Sequence, residues 1–312
     1  MLSFLLISNQ IYGKWKISEL ESKNKIDLDF TIKIISPKID IKRFLDFNDT
    51  EKILKELVLL SNPKYSEKTI FVFPEGILSG IFLQDLKNYN DLFLDNYSKY
   101  HKIILGINSY ENIDGINRIF NSLVTLDNKG NIINKYYKNK LVPFGEFLPM
   151  ESFFNKFGLK KITSGYQSFS AGTKRNIINI YDKKFIPLIC YEIIYSGKIK
   201  KNNQNIDFIL NISEDGWFGN SIGPYQHFSH SIFRAIEEGK NLIRSGNNGI
   251  SSFISPVGKP IGKIESTKKG VIEIKNFHPG QKTFFGNHGN KIFFYFIIIY
   301  ISLIFFLKKK GG

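Results

Sequence analysis

Short apolar runs closed by Gly, Pro, Asn or Asp recur between helix-spaced segments, and this alternation restricts the chain to a layered α/β architecture. Residues 30–35, 69–73, 102–107, 122–126, 185–189, 208–212 and 250–255 read as strands, being short and rich in β-branched or aromatic residues. Residues 51–60 and 225–238 have helical spacing. Asp49 or Thr50 can cap the first helix, and Pro224 suits the first turn of the second. No repeat of 20 to 50 residues is visible. No Pro- or Ser-rich linker precedes 276–290, so residues 29–275 read as one domain and 276–290 as a linker.

The two ends differ from this body. Residues 292–307 carry no charge, and Lys308, Lys309 and Lys310 follow. We read 291–307 as a transmembrane helix, although the uncharged run reaches only about 24 Å against a hydrocarbon core of about 30 Å. Lys291 and Lys308 can snorkel, and the lysine cluster places a basic tail, 308–312, in the cytoplasm with the body of the protein across the membrane. Residues 1–7 are apolar but too short to span, and they lack the basic region and small-residue cleavage site of an export signal. Residues 1–28 read as an N-terminal juxtamembrane remnant, the tail of a longer apolar helix followed by a mostly polar stretch.

Lys plus Arg number 43 and Asp plus Glu 28, a net charge of +15. The excess is spread along the chain, and no helix-turn-helix, finger or RNA-recognition signature accompanies it, so nucleic acid is not an expected partner. The single cysteine, Cys190, excludes an internal disulfide and an all-cysteine zinc site. His227 and His230 stand i, i+3 on a helix with no third ligand type nearby, so no metal is expected, and nothing calls for a cofactor.

Cys190 ends the apolar run 185–189, and a helical pattern begins at Tyr191. A nucleophile at a strand-to-helix turn is exposed and lies near backbone N–H groups that can receive an oxyanion. On its own the cysteine is more often a buried filler than a nucleophile. Glu75, in Pro74-Glu75-Gly76, follows the strand 69–73, and Lys138 ends another strand ahead of a Pro/Gly-punctuated loop that carries Glu146. Singly, these are a surface turn and a solvated strand end. Together, Glu, Lys and Cys at three strand ends supply what thiol-mediated acyl transfer requires: a proton acceptor, an oxyanion stabiliser and a nucleophile.

At these residues the chain resembles the nitrilase (carbon–nitrogen hydrolase) superfamily and, within it, the apolipoprotein N-acyltransferases. The closer likeness rests on Leu141-Val142-Pro143-Phe144-Gly145-Glu146-Phe147-Leu148-Pro149, Ile189-Cys190-Tyr191-Glu192, Trp217-Phe218-Gly219-Asn220-Ser221-Ile222-Gly223-Pro224-Tyr225-Gln226-His227 and Arg244-Ser245-Gly246-Asn247-Asn248-Gly249-Ile250. It implies a nitrilase-like α-β-β-α sandwich with a Glu-Lys-Cys triad: Glu75 as general base, Lys138 as oxyanion stabiliser and Cys190 as nucleophile. Glu146, Tyr191 and Glu192 carry over as residues that complete or orient the site, and Trp217 and Phe218 as a loop near the acyl chain. Lys138 is preferred to Lys140, which stands where the superfamily has a histidine. Gly76, Glu214, Gly216 and Gly246 are further departures.

Phe144, Phe147, Leu148, Met150, Phe153, Phe154, Phe157 and Leu159 form an apolar loop suited to a phospholipid acyl chain, or equally to ordinary core filling. The resemblance further implies a phospholipid acyl donor, a diacylglyceryl-cysteine lipoprotein N-terminus as acceptor, and an inner-membrane location with the catalytic domain facing the periplasm. It also implies a preceding bundle of membrane helices. Tyr12-Gly13-Lys14-Trp15-Lys16 resembles the loop after such a bundle, so the chain reads as the C-terminal part of a longer or split protein, or as a reduced form. The rival readings are an amidase acting on a small amide and an inactive membrane-bound fragment.

Overall fold

The structure is a computed structural model that describes residues 2–44, 50–150, 168–197, 199 and 205–310. One six-stranded sheet is built from β1 (Ile26–Ser36), β2 (Thr69–Val72), β3 (His101–Ile113), β4 (Ile116–Leu126) and β5 (Ile132–Tyr137), with β12 (Gly270–Phe277) beside β1. The other contains β6 (Ile178–Ile180), β7 (Lys183–Ile189), β8 (Phe208–Glu214), β9 (Asn241–Asn247), β10 (Ser251–Ile254) and β11 (Pro260–Ile264), in that spatial order. The helices are α1 (Leu2–Glu21), α2 (Thr50–Ser61), α3 (Gly223–Glu238), α4 (Phe284–His288) and α5 (Lys291–Lys310). The two sheets share one plan: an antiparallel edge strand, then parallel pairings β1-β2-β3 or β7-β8-β9, then two antiparallel strands.

Period-2 alternation on β1 sends Ile32 and Ile34 toward the second sheet, where they pack with Val72, Ile104, Phe185, Ile189, Leu210 and Ile212. Ile35, on the opposite face, joins Phe71, Phe73 and Leu105 beneath Ile53, Leu54 and Leu57 of α2. On the far side, Phe228 and Ala235 of α3 cover Ile186, Leu188, Ile209 and Leu242. The expected α-β-β-α layering therefore holds, with an apolar seam between the sheets. Pro224 lies in the first turn of α3, and Gly239, at φ +60°, closes it in the left-handed conformation.

The ends need correction. The stretch around Tyr12–Trp15, expected as a loop, lies inside α1, where Glu19 pairs with Lys16 (2.8 Å) and with Lys23 (2.7 Å), two residues past the helix end. The apolar C-terminal run is helical in α5, with Phe293, Phe296, Ile298, Tyr300, Phe305 and Leu307 exposed. Among the described residues, however, no helix is long and apolar enough to cross a membrane. The helical pattern after Cys190 is a short 3-10 turn, Cys190–Ile194, ended by Tyr195 in an extended conformation. Asp49, Phe153, Phe154, Phe157 and Leu159 lie outside the described residues, as do the side chains of Lys308, Lys309 and Lys310.

Candidate active site

Three strand ends converge at the carboxyl edge of the parallel strands. Beyond β2, the Phe73 N–H donates to Ile104 O (2.8 Å) and the Gly106 N–H to Pro74 O (3.2 Å), so the chain stays against β3 and delivers Glu75. A Cβ at Gly106 would stand 2.5 Å from Glu75 Cα, so this approach requires glycine. Beyond β5, the Lys138 N–H donates to Asn121 O (2.9 Å), and Lys138 O accepts the Gly172 N–H (2.8 Å). Cys190 sits directly after β7 at φ +48°, a left-handed conformation that is unusual for a residue with a Cβ.

The Lys138 ammonium donates to Glu75 Oε1 (3.1 Å) and Glu146 Oε1 (2.9 Å). The Asn121 side-chain amide bridges the same two oxygens, at 2.7 and 2.8 Å. Glu75 Oε2 accepts the Glu214 N–H (2.9 Å), and Glu146 Oε2 accepts the Val142 N–H (2.9 Å). Burial opposes the Lys138 charge, but Glu146, Glu75 and Cys190 outweigh it and hold its pKa well above the ordinary lysine value. The partly exposed Cys190 has its thiol pKa raised by burial and then by Glu75, while Lys138 pulls it down. The thiol is therefore protonated at neutral pH and needs a base to become a nucleophile.

Fully buried Glu192 ties the lysine loop to the cysteine turn. Its Oε1 accepts from Tyr136 Oη (2.7 Å), Arg175 Nη2 (2.9 Å) and the N–H groups of Asn139 (3.0 Å) and Lys140 (3.1 Å); its Oε2 accepts the Ile189 N–H (2.9 Å). Tyr191 packs edge-on to Tyr195. Lys140 itself is exposed. Phe144 (exposed, φ +62°) and Phe147 (half-buried) flank Glu146 on its loop. Trp217 and Phe218 are 51% and 42% exposed just after β8, and the Trp217 ring stands 5.1 Å from Phe44.

Sequence reasoning missed Asn121, one of two asparagines on β4, and a buried cluster behind Cys190. There, Asp215 Oδ1 faces His227 Nδ1 (2.9 Å) and accepts from Ser213 Oγ (2.6 Å), while Oδ2 accepts from Arg244 Nη2 (2.7 Å). His227 Nε2 lies 3.2 Å from Cys190 O, so this cluster supports the turn from below. His227 enters the sequence reading as a residue of the family likeness and as half of an i, i+3 histidine pair; its signal as a support is the Asp215 twelve residues before it.

The four-layer α/β sandwich is a fold that this chain shares with solved amidases and related proteins. A mutant of the amidase from Nesterenkonia sp. AN1, described with the acetamide moiety of fluoroacetamide on its active-site cysteine, aligns with a TM-score of 0.53 at 12% identity, covering 82% of this chain and 94% of that one. The Saccharomyces cerevisiae member of branch 10 of the nitrilase superfamily aligns with a TM-score of 0.54 at 15% identity, covering 83% and 93%. The chain belongs to the carbon–nitrogen hydrolase family, whose model matches residues 47–275. Among curated proteins, the apolipoprotein N-acyltransferase of Wigglesworthia glossinidia brevipalpis is 36% identical over 291 residues, covering 89% of this chain and 56% of the relative. That of Agrobacterium fabrum is 32% identical over 312 residues, covering 97% and 58%. The chain thus spans little more than half the length of these relatives.

Proposed function

We propose that the protein is an N-acyltransferase that moves a fatty acyl group from a phospholipid, through a Cys190 thioester, to the N-terminal amine of a diacylglyceryl-cysteine lipoprotein. The observation that carries this reading is the 36% identity to an apolipoprotein N-acyltransferase across 89% of the chain. Glu75 takes the thiol proton as Sγ attacks the sn-1 ester carbonyl. Among the described residues, two of the three N–H bonds of Lys138 go to Glu75 and Glu146, which leaves the third for the oxyanion. Collapse breaks the ester C–O bond, and Glu75 returns its proton to the departing lysophospholipid oxygen. The lipoprotein α-amine then attacks the thioester, Glu75 accepts the amine proton, the C–S bond breaks, and the proton returns to sulfur. Glu146, Tyr191 and Glu192 hold the site together, while Trp217, Phe218, Phe144 and Phe147 contact the acyl chain.

The same reading seats the protein at the inner membrane with its catalytic domain on the periplasmic side. The exposed apolar surface of α5, and of α1 at Phe4, Leu6, Ile7 and Ile11, supports burial of both helices in lipid or against further membrane helices.

The test is mass spectrometry of Cys190 after incubation with phospholipid vesicles. A fatty acyl mass on Cys190 that disappears when a diacylglyceryl-cysteine peptide is added is the expected result. Turnover of small amides without any acyl adduct would make the protein an amidase, and no chemistry at all would make it an inactive membrane-bound fragment.

A further inference from the structure

Glu214, at the end of β8, has a partner far away in sequence. Its side chain is 1% exposed, and its Oε2 accepts from Arg43 Nη2, on a side chain 3% exposed. Glu214 Oε2 also accepts from Asn247 Nδ2 (2.7 Å), and Oε1 from the Gly216 N–H (2.8 Å) and Asn248 Nδ2 (3.2 Å). The Arg43 guanidinium reaches further: Nη2 and Nε donate to Gly76 O at 3.2 and 3.4 Å. Gly76 is the residue after Glu75, and the Glu214 N–H is the donor to Glu75 Oε2. One buried ion pair thus grips the chain on both sides of the Glu75 carboxylate.

We infer that Arg43 and Glu214 are positioning residues that fix the Glu75 carboxylate for proton transfer. Oε1 of Glu75 is held by Asn121 and Lys138, whereas Oε2 receives the single Glu214 N–H and is the freer oxygen for a thiol proton. Its direction therefore depends on where the end of β8 and the turn at Gly76 stand, and Arg43 joins the two. The planar fork of arginine spans a carboxylate and a carbonyl at once, which a lysine ammonium does not reproduce. Burial pushes the Glu214 pKa above the usual carboxylate range against the pull of Arg43, so the pair is poorly explained as a device for stability.

The inference rests on Glu75 being the general base, and the experiment separates the two. The rate of Cys190 acylation by 4-nitrophenyl butyrate is followed by nitrophenolate release for the parent, Glu75→Gln, Glu214→Gln and Arg43→Lys. Rates are taken well below each melting temperature and normalised to titrated thiol, which is unambiguous with one cysteine. Glu75→Gln should lose about 10²- to 10⁴-fold, as for removal of a general base. Glu214→Gln and Arg43→Lys should each lose about 10- to 100-fold in the maximal rate constant, with the half-saturating ester concentration unchanged, as expected for a misaligned reacting group. Parental rates in both variants, or a loss confined to one, overturn the brace, whatever happens to the melting temperature. A parental rate in Glu75→Gln overturns the general-base reading instead.

Discussion

Lys138 Nζ lies 3.1 Å from Glu75 Oε1, with the two side chains 2% and 9% exposed, so each buried charge has the other as a counter-ion. Glu146, at 2.9 Å, adds a second carboxylate, and the formal charge of the cluster is +1 − 2 = −1 beside the Cys190 thiol. A thiolate formed there in the resting protein would add to that excess. This accounts for the direction of the thiol shift, which burial begins and Glu75 reinforces. The site therefore holds the thiol neutral in the resting protein.

Lys138→Met removes the cation that lowers the thiol pKa and leaves Glu75 and Glu146 without their shared counter-ion. Acyl-enzyme formation should fall by about 10²- to 10³-fold, the usual cost of losing one oxyanion donor. Alkylation of Cys190 by iodoacetamide at pH 8 should also slow, because less of the sulfur is thiolate. Peptide mass spectrometry reads both, and alkylation at the parental rate would show that Lys138 does not act on the thiol.

Asp215 gives a pH prediction with a definite sign. Burial raises its pKa, but Arg244, His227 and Ser213 outweigh burial and hold it well below the ordinary 3.8. A carboxylate with a depressed folded-state pKa contributes stability that is complete above the unfolded value and fades as pH falls through and below it. Asp215→Asn leaves Arg244 buried without its ion-pair partner, so the loss at pH 7 should be about 3–5 kcal/mol. Urea titrations at pH 7 and pH 3 should show the gap between parent and variant narrowing in acid. A gap independent of pH would mean that Asp215 is not charged in the folded protein.

Glu192→Ala should separate the lysine loop from the cysteine turn, because one carboxylate receives the N–H groups of Asn139, Lys140 and Ile189 as well as Arg175. Stripping a buried charge of its partner costs about 3–5 kcal/mol, measurable as a lower urea midpoint. Glu192→Gln keeps an acceptor oxygen for part of this network and should recover some stability. Acylation should follow the same order, parent above Gln above Ala.

Much of this site was legible because its chemistry sits where strands stop. The run 69–73 is apolar on both faces since β2 is buried on both sides, and the first charged residue after it is Glu75. Cys190 and Lys138 follow β7 and β5 in the same way. The supporting residues were hidden for a physical reason: Arg43 and Glu214 meet across 171 positions and Asn121 and Glu75 across 46, and no local pattern encodes such contacts. Residues 12–16 read as a loop only through the family resemblance, yet Gly13 has open space around it and α1 runs through. The Glu192 network was suggested only by family resemblance, since nothing in Cys190-Tyr191-Glu192 states which backbone groups that carboxylate will meet.

Trp217 separates a lipid-handling enzyme from one that acts on small soluble substrates. Its ring is half exposed beside Phe44, and Phe218, Ile222 and Tyr225 extend the apolar surface at 42%, 68% and 49% exposure. Trp217 also follows directly on Glu214-Asp215-Gly216, so this surface adjoins the strand end that holds Glu75. A long acyl chain lying on the indole and covering ~60 Å² of it would gain about 1.5 kcal/mol at ~25 cal/mol per Å², or roughly tenfold in binding. Trp217→Ala should therefore raise the half-saturating concentration of a long-chain phospholipid about tenfold and leave acylation by 4-nitrophenyl butyrate near the parental rate. Equal losses on both substrates would mean that Trp217 supports the fold of the site instead of the acyl chain. No loss on either would place the acyl chain elsewhere, with Phe144 and Phe147 on the Glu146 loop as the next residues to substitute.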